Sequence, residues 1–340
     1  MTEINRRAFT RTSLLALGAL GGSQVAGWAA ATGAKPMRGV FIILTTPFTA
    51  SGEVDWDDLA RETAFVDRCG CHGIVWPQGS SGVANLTKAE RMRGMEVLAA
   101  AARGKAVALV LGVQGKDTAE MVEYAQRAEA LAPDAMIAMP PSDARSVDDY
   151  RAYFRALAQA TARPVFVQTS GGAKELAPPV ELIVELAREF PHVAYVKEES
   201  APLIERMKAE IGQRPLIKAV FGASFADGWL YEMRLGLDGV MTGMAMYPDL
   251  MARIWAMHEK GDANGVRDAY GKFLLMRNVA QQIPGADLYL LKKRGVFKTT
   301  ATRTGGAAAW TVKTFEPSAS EIAEIDFRFA ALKPYLTTTS

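Results

Sequence analysis

The sequence predicts a (β/α)8 TIM barrel, an α/β fold, followed by a C-terminal helical extension. From residue 39 onwards, eight short apolar runs alternate with amphipathic helical patterns. Successive runs start between 22 and 34 residues apart, which is the spacing of strand–helix units. Runs such as AVALVLGV and PVFVQT are apolar almost throughout, as is typical of parallel strands covered on both faces. Eight units favour a closed barrel, because doubly wound sheets more often contain about five to seven strands.

Each strand is predicted from an apolar, β-branched run that ends near a glycine, a proline or a hydroxyl-bearing residue. The predicted strands are Gly39–Phe48, Gly73–Gln78, Ala106–Gln114, Asp134–Pro141, Pro164–Thr169, Val193–Glu199, Ile217–Ala223 and Gly239–Met244. The clearest helices between them are Val54–Cys69, Thr87–Ala102, Thr118–Leu131, Val147–Thr161 and Pro178–Phe190. Thr87, Asp117 and Ser146 are predicted N-caps, since their side-chain oxygens can accept hydrogen bonds from first-turn N–H groups.

After Met244 the pattern becomes wholly helical. The predicted helices are Pro248–Lys260, Ala263–Gln281, Asp287–Arg294 and Ser318–Ala331. We therefore divide the chain into a barrel over residues 37–246 and a helical extension with its tail over residues 247–340. The stretch Thr299–Thr314, which contains Gly305-Gly306, has neither helical nor strand periodicity and is predicted to be a loop.

Residues 1–31 are predicted to be a twin-arginine signal peptide. Asn5-Arg6-Arg7-Ala8-Phe9-Thr10-Arg11 resembles the twin-arginine export motif, an apolar stretch follows from Ser13 to about Leu20, and Ala29-Ala30-Ala31 offers a small-residue cleavage site. The apolar stretch is shorter than the ~20 residues that cross a bilayer. The alternative is a short N-terminal helix. We expect a periplasmic protein with no membrane association after export.

The composition excludes several kinds of partner and site. With 49% hydrophobic and 22% charged residues, the chain is an ordinary globular protein. Without the three arginines and one glutamate of the leader, the 39 basic and 37 acidic residues balance, so nucleic acid is not an expected partner. Cys69 and Cys71 are too close in sequence to bridge readily and are predicted to be small buried residues at a helix end. The three histidines lack metal-ligand spacing, and neither a metal nor a cofactor is predicted.

Barrel chemistry occurs where the strands end, at the C-terminal face, and this selects Lys197. Lys197 ends the apolar run VAYVK, where burial lowers the pKa of an amine. A neutral amine can form a Schiff base with a carbonyl substrate. The alternative is an ion pair with Glu198 or Glu199. The turn Gly79-Ser80-Ser81-Gly82 after strand two suits a carboxylate, although most turns of this kind are only turns.

Three motifs together resemble the dihydrodipicolinate synthase / N-acetylneuraminate lyase superfamily of Schiff-base 2-keto-acid lyases and dehydratases. They are GVFIILTTPF, GSSGVANLT and YVKEES, and the resemblance covers about residues 37–300. It implies a (β/α)8 barrel in which Lys197 bonds the C2 carbonyl of a pyruvate-like head. It also implies a small-molecule 2-keto acid as the partner and a homotetramer or homodimer.

The resemblance also implies binding residues, with one ambiguity. The family's Gly-Thr-Thr-Gly-Glu turn assigns the substrate carboxylate either to Ser80 and Ser81 or, in the other register, to Gly79 and Ser80. Thr45 and Thr46 are expected to support the pocket floor, Thr169 to bind substrate from strand five, and Thr242 and Gly243 to line the pocket from strand eight. The motif's glutamate is not kept in either register, since Val83 or Gly82 takes its place.

Departures from the family pattern restrict which reaction the chain can catalyse. The strand-five motif Tyr-Asn-x-Pro is replaced by Gln168 and Thr169, and the strand-four tyrosines are replaced by Ser142-Asp143. Ala173 stands where dihydrodipicolinate synthases place an arginine, which argues against a role in lysine biosynthesis. Glutamine does not ionise near neutral pH, so Gln168 cannot be the general base of a retro-aldol step. A glutamine here is similar to the 2-keto-3-deoxy-sugar-acid dehydratase branch.

The predicted catalytic residues are therefore Lys197, Gln168 and Glu199. An iminium on Lys197 acidifies C3, a base removes the C3 proton, and the enamine expels the 4-hydroxyl. Glu199 points the same way as Lys197 on an extended strand and is the predicted base, with a pKa raised by an apolar wall. Two alternatives remain open. One is an aldolase that releases pyruvate, and the other is a periplasmic keto-acid-binding protein without turnover.

Overall fold

In the computed structural model, which describes residues 34–336, eight parallel strands close into a barrel in chain order. The strands are β1 Gly39–Ile43, β2 Gly73–Trp76, β3 Ala108–Gly112, β4 Ala135–Ala138, β5 Val165–Gln168, β6 Tyr195–Lys197, β7 Ala219–Gly222 and β8 Gly239–Thr242. The last strand pairs with the first, with Val40 opposite Val240, which closes the barrel. The predicted fold class is confirmed, and each predicted strand contains an observed one. The predicted signal peptide, residues 1–31, lies outside the described residues.

Helices cover the outside of the barrel. They are α1 Trp56–Arg68, α2 Lys88–Ala101, α3 Thr118–Leu131, α4 Val147–Ala160, α5 Val180–Glu189, α6 Leu203–Ile211, α7 Trp229–Leu235 and α8 Pro248–Glu259. The predicted caps Thr87, Asp117 and Ser146 each accept a hydrogen bond from the N–H three residues on. The helix α8, which the sequence assigns to the extension, packs against β1.

Strand alternation separates two cores. One set of side chains fills the barrel interior, and it includes Phe41, Phe166, Phe221 and Met241. The ring of Phe221 packs edge-on against both Phe41 and Phe166, with centroids 5.1 and 5.2 Å away. The opposite faces of the strands pack against the helices. Because the interior is filled with apolar side chains, a polar site has to lie above them, at the ends of the strands.

Beyond α8, up to residue 336, the chain forms three further α-helices and a hairpin. The helices are α9 Ala263–Gln282, α10 Ala286–Lys293 and α11 Ala319–Ala330. The predicted loop Thr299–Thr314 is wrong, because it contains the antiparallel strands β9 Ala301–Thr304 and β10 Thr311–Thr314. Their β-branched residues suit strands, and Gly305 and Gly306 adopt positive φ angles of 96° and 89° in the connection.

Cys69 and Cys71 are both buried, as predicted. The Cys71 thiol donates a hydrogen bond to the Pro248 carbonyl, 3.2 Å away. Within residues 34–336, none of the helices combines the length and the hydropathy that crossing a bilayer requires.

Candidate active site

The site is built around Lys197, the last residue of β6. Tyr195, two residues earlier, packs on the interior core, so alternation directs Lys197 to the same side. The lysine is 3% exposed, and its Nζ lies 2.9 Å from Glu199 Oε2. Desolvation lowers the pKa of Lys197 below its ordinary value, although Glu199 opposes this shift. The amine is therefore buried at the barrel mouth beside a carboxylate that can accept its proton.

One oxygen of Glu199 collects the polar contacts of the site. Its Oε2 accepts hydrogen bonds from Lys197 Nζ at 2.9 Å, Gln168 Nε2 at 2.9 Å and Ser170 Oγ at 2.6 Å. The alternative of a Lys197–Glu199 ion pair is thus observed, and the pair lies inside the barrel mouth. It occupies the position where the resemblance places the imine.

The expected rise in the pKa of Glu199 is wrong. Desolvation by itself raises the pKa of Glu199, but Lys197, the Ser170 hydroxyl and the backbone N–H of Ser224 together lower it below its ordinary value. These donors come from different strands and loops, whereas the prediction considered only an apolar wall. Glu199 is consequently ionised at neutral pH and ready to act as a base.

Gln168 ends β5 and lies opposite Lys197 in the strand register. Its Nε2 donates to Glu199 and, at 3.1 Å, to Ser170 Oγ. Its Oε1 is buried and has no hydrogen-bond partner among the described residues. A buried acceptor without a partner is unusual in proteins and indicates that a ligand group or a water donates to it. Gln168 can therefore hold a substrate hydroxyl without ionising.

Contrary to the prediction that it binds substrate, Thr169 does not face the mouth. Gln168 faces inward, so its neighbour Thr169 faces the helices, where its hydroxyl donates to Glu198 Oε1 at 2.7 Å. The Thr169 hydroxyl also accepts from the Glu199 backbone N–H at 2.9 Å. Glu198 is paired with Arg206, 3.0 Å away, rather than with Lys197. Thr169 therefore supports the segment that carries Glu199.

The turn after β2 has one hydroxyl at the mouth and one within the turn. Ser81 is 2% exposed, and its Oγ accepts from the Gln78 backbone N–H at 3.1 Å. Gly79 and Ser80 are exposed. Ser80 lies against Gly243, at the end of β8, where an added Cβ would lie 2.6 Å from the Ser80 Cβ. Of the two serines, the structure places Ser80 where a ligand can reach it.

Of the two threonines after β1, Thr46 supports this turn. The Thr46 hydroxyl donates to the Ser81 carbonyl at 2.6 Å and accepts from Trp76 Nε1 at 3.0 Å. The Thr45 backbone N–H donates to the buried carboxyl of Glu62 at 3.0 Å. Desolvation raises the pKa of Glu62 well above its ordinary value. Thr46 is thus placed to hold the turn, and the role of Thr45 in the pocket floor stays a prediction.

Of the pair predicted from strand eight, only Gly243 lies at the mouth. Met241 faces the barrel interior and Val240 faces the helices, so alternation turns Thr242 towards the helices. The Thr242 hydroxyl is buried there and has no hydrogen-bond partner among the described residues. The prediction that Thr242 lines the pocket is corrected for this reason.

Two amides at the mouth were missed from the sequence. Gln78 Nε2 donates to Gln114 Oε1 at 3.0 Å, and Gln114 Nε2 donates to the Pro77 carbonyl at 2.8 Å. The pair lies over Gly112, where an added Cβ would approach Gln78 Nε2 to 2.9 Å. Gln78 Oε1 is buried without a partner in the described part of the chain. Both glutamines end predicted strands, which is the signal that could have found them.

The rim beside β7 is formed by a strained loop. Ser224, Phe225 and Ala226 all have positive φ angles, of 48°, 56° and 63°. Side chains disfavour this region, and such strain concentrates at functional sites. The Phe225 ring is 44% exposed and stacks on the Arg277 guanidinium at 4.5 Å. Phe225 thus forms an apolar rim next to Gly243.

Comparisons with known proteins identify the family and the fold. The model of the dihydrodipicolinate synthetase family matches residues 36–299. A 4-hydroxy-tetrahydrodipicolinate synthase from Chlorobaculum parvum is 30% identical over 212 residues, which cover 61% of this chain and 69% of the relative. One from Chlorobium chlorochromatii is 26% identical over 270 residues, or 77% of this chain and 89% of the relative. The solved structure of YagE from E. coli K12, in complex with pyruvate, has a TM-score of 0.75 at 17% identity, over 87% of this chain and 99% of YagE.

Proposed function

We propose that this chain, which belongs to the dihydrodipicolinate synthetase family, is a lyase that forms a Schiff base through Lys197 and dehydrates a hydroxylated 2-keto acid. Within that class we favour acids of the 2-keto-3-deoxy-sugar type. The observation that carries the proposal is the buried Lys197 amine, 2.9 Å from Glu199, beside a glutamine where a retro-aldolase needs an ionisable group.

Imine formation requires a neutral amine on Lys197 and a substrate whose carboxylate is bound in place. Burial lowers the pKa of Lys197, and Glu199 is placed to take the ammonium proton. The amine then attacks C2 of the keto acid to give a carbinolamine. Glu199 returns its proton to the carbinolamine hydroxyl, which leaves as water, so that the iminium forms beside an ionised Glu199. The Ser80 turn, with Ser81 or Gly79, holds the substrate carboxylate through hydroxyl and N–H groups. YagE, which has the same fold, binds pyruvate, a molecule with this keto-acid head.

The iminium then supports elimination. Its positive charge acidifies C3, and the Glu199 carboxylate removes a C3 proton to leave an enamine. The enamine expels the C4 hydroxyl, which departs as water with the proton that Glu199 had taken. Hydrolysis of the product imine returns Lys197. The free Oε1 of Gln168 accepts a hydrogen bond from the C4 hydroxyl and orients it, without removing its proton.

The test is product analysis on a panel of 2-keto-3-deoxy sugar acids. Dehydration leaves the carbon chain unshortened, whereas aldol cleavage releases pyruvate. We expect an unshortened product from the wild-type protein and none from a Lys197→Arg variant, which keeps a cation but cannot form an imine. Released pyruvate would identify an aldolase instead. Ligand-induced thermal stabilisation without any product would identify a binding protein.

We further propose that the protein is exported and assembles with itself. The arginine pair and the apolar stretch of residues 1–31 support transport by the twin-arginine route to the periplasm. Family members typically form oligomers that act on small molecules, which supports a homotetramer or homodimer. Cell fractionation of the full chain and of an Arg6→Lys, Arg7→Lys variant tests the route, since the variant is expected to stay in the cytoplasm.

A further inference from the structure

The C-terminal hairpin reaches the turn that carries Ser80. The family match ends at residue 299, and the hairpin strands β9 and β10 follow directly. The Ala307 N–H donates to the Ala84 carbonyl at 2.9 Å, and the Gly306 N–H donates to Asn85 Oδ1 at 3.0 Å. Residues 83–85 form a short 3₁₀ turn immediately after Gly82. The hairpin is thus bonded to the segment that leads out of the Ser80 turn.

Arg303, on β9, is the central contact between the hairpin and the barrel loops. It is 3% exposed, and its two terminal nitrogens bond both oxygens of Glu90, at 2.9 and 2.7 Å. It also donates to the Asn85 carbonyl at 3.2 Å and to the Gly52 carbonyl. Its guanidinium lies between the rings of Trp310 and Phe48, with centroids 4.2 and 4.9 Å away. A bidentate, stacked arginine fixes geometry that a lysine cannot reproduce.

Glu90 connects this contact to the start of α2. Its carboxylate accepts from the Thr87 backbone N–H at 2.9 Å, which completes a capping box. Desolvation raises the pKa of Glu90, but Arg303 and Thr87 together lower it below its ordinary value, so Glu90 is ionised and holds the guanidinium at neutral pH. The segment from Ser80 to α2 is therefore held by Thr46 at one end and by Arg303 at the other.

We propose that Arg303 is a positioning residue for substrate binding. By clamping Asn85 and Glu90, it sets the depth at which Ser80 meets the carboxylate of the keto acid. The inference rests on the proposed function, because it takes the Ser80 turn to be the carboxylate site. Arg303 does not touch the substrate, and it acts only through the turn.

The test compares Arg303→Met and Arg303→Lys with the wild type, and uses Arg328→Met as a matched control. Arg328 is on α11, where it bonds Glu324 and the Leu275 carbonyl. The measurements are the pyruvate concentration that half-saturates borohydride trapping, the trapping rate at saturation, and amide hydrogen exchange in peptides covering residues 77–90. We expect Arg303→Met to raise the half-saturating pyruvate concentration about tenfold, with little change in the trapping rate at saturation. This is the pattern of lost ground-state binding.

We also expect faster exchange in residues 77–90 of Arg303→Met, partial rescue by Arg303→Lys, and wild-type values for Arg328→Met. Lower thermal stability with unchanged half-saturation and exchange would overturn the proposal. If Arg303→Met does not fold, Glu90→Gln and Arg303→Lys supply the same comparison. If the wild type traps no keto acid, the proposed function fails, and the exchange of residues 77–90 alone decides whether the clamp exists.

Discussion

At the scale of single residues, the chemistry depends on a proton shared between Lys197 and Glu199. Burial lowers the pKa of the amine, while the Lys197, Ser170 and Ser224 donors hold the pKa of Glu199 below its ordinary value. The two groups therefore form an ion pair in the resting site. Transfer of one proton over 2.9 Å produces the neutral amine that an imine requires.

Replacing the carboxylate should separate imine formation from elimination. Glu199→Gln keeps the shape of the side chain but cannot take the C3 proton. We expect the turnover number to fall by about 10²–10⁴, the range for loss of a general base. Pyruvate should still be trapped on Lys197, because without Glu199 burial alone lowers the pKa of the amine. Steady-state kinetics and borohydride trapping on the same sample check this. Turnover within a few-fold of the wild type would remove Glu199 from the role of base.

The pH profile should be set by the same pair. Protonation of Glu199 inactivates the site, and its pKa lies below the ordinary 4.5, so the acid limb of kcat/KM should fall below pH 4.5. Loss of the proton shared by Lys197 and Glu199, which the carbinolamine needs in order to lose water, forms the alkaline limb, which should fall below pH 10.5 because burial lowers the pKa of Lys197. Ser170→Ala removes a donor that lowers the pKa of Glu199 and should shift the acid limb to higher pH. An acid limb unmoved by Ser170→Ala would contradict the assignment.

Part of the site can be predicted from local sequence features, and the rest depends on contacts between segments that are distant in sequence. Lys197 was found because it ends an apolar strand at the C-terminal face, and Gln168 because it replaces the family's strand-five tyrosine. Glu199 was found because side chains alternate with period two along a strand. The same rule excludes Thr169 and Thr242 from the lining of the mouth, where the family resemblance had suggested them. The pairing of Gln78 with Gln114 depends on the register between β2 and β3. The pKa of Glu199 depends on Ser170 and Ser224, which are distant in sequence.

At the scale of elements, three loops meet at the mouth, and glycine sets their spacing. Ser80, from the loop after β2, and Phe225, from the loop after β7, approach Gly243 from two sides. An added Cβ at Gly243 would lie 2.6 Å from the Ser80 Cβ and 3.9 Å from the Phe225 ring. The absence of a side chain at the end of β8 therefore lets Ser80 reach the mouth.

Gly243→Ala should displace Ser80 and weaken substrate binding. The added Cβ requires a shift in the Ser80 turn, so we expect KM to rise about tenfold with a smaller change in kcat. Gly271→Ala on α9 is the control, since a Cβ there meets no atom within 4 Å. The control should keep wild-type kinetics and gain up to about 1 kcal/mol of stability from helix propensity. Equal KM values for the two variants would show that Ser80 does not bind substrate.

The sequence predicted the long elements well and missed the hairpin. Helices such as α3 and α4 were found because caps at Asp117 and Ser146 mark where they begin. The barrel strands are equally short, but apolar runs marked them, whereas β9 (ATRT) and β10 (TVKT) contain few apolar residues. Tertiary contacts between Arg303 and the barrel loops stabilise the two strands.

At the scale of the whole molecule, the apolar packing of the barrel includes a buried acid. Glu232, on α7, is 0% exposed and fills the space beside Gly222 and Gly228. Neither carboxyl oxygen has a hydrogen-bond partner among the described residues. Desolvation raises the pKa of Glu232 from 4.5 to about 7. The folded protein therefore retains a proton that the unfolded chain releases.

The free energy of unfolding should fall as pH rises from 4.5 to about 7. Between pH 4.5 and about 7 the unfolded chain loses the Glu232 proton while the folded state keeps it. The loss amounts to about 3 kcal/mol, at about 1.4 kcal/mol for each pH unit. Glu232→Gln should remove this contribution, as measured by urea unfolding at several pH values. Identical pH dependence in the variant and the wild type would contradict the assignment.

The central claim is that Lys197 forms the imine, and peptide mapping after borohydride reduction tests it most directly. The wild-type protein and Lys197→Arg are each incubated with pyruvate and borohydride, digested, and analysed by mass spectrometry. We predict one adduct, on the wild-type peptide that contains residue 197, and none in the variant. A wild-type protein without an adduct, or an adduct that persists in Lys197→Arg, would contradict the account.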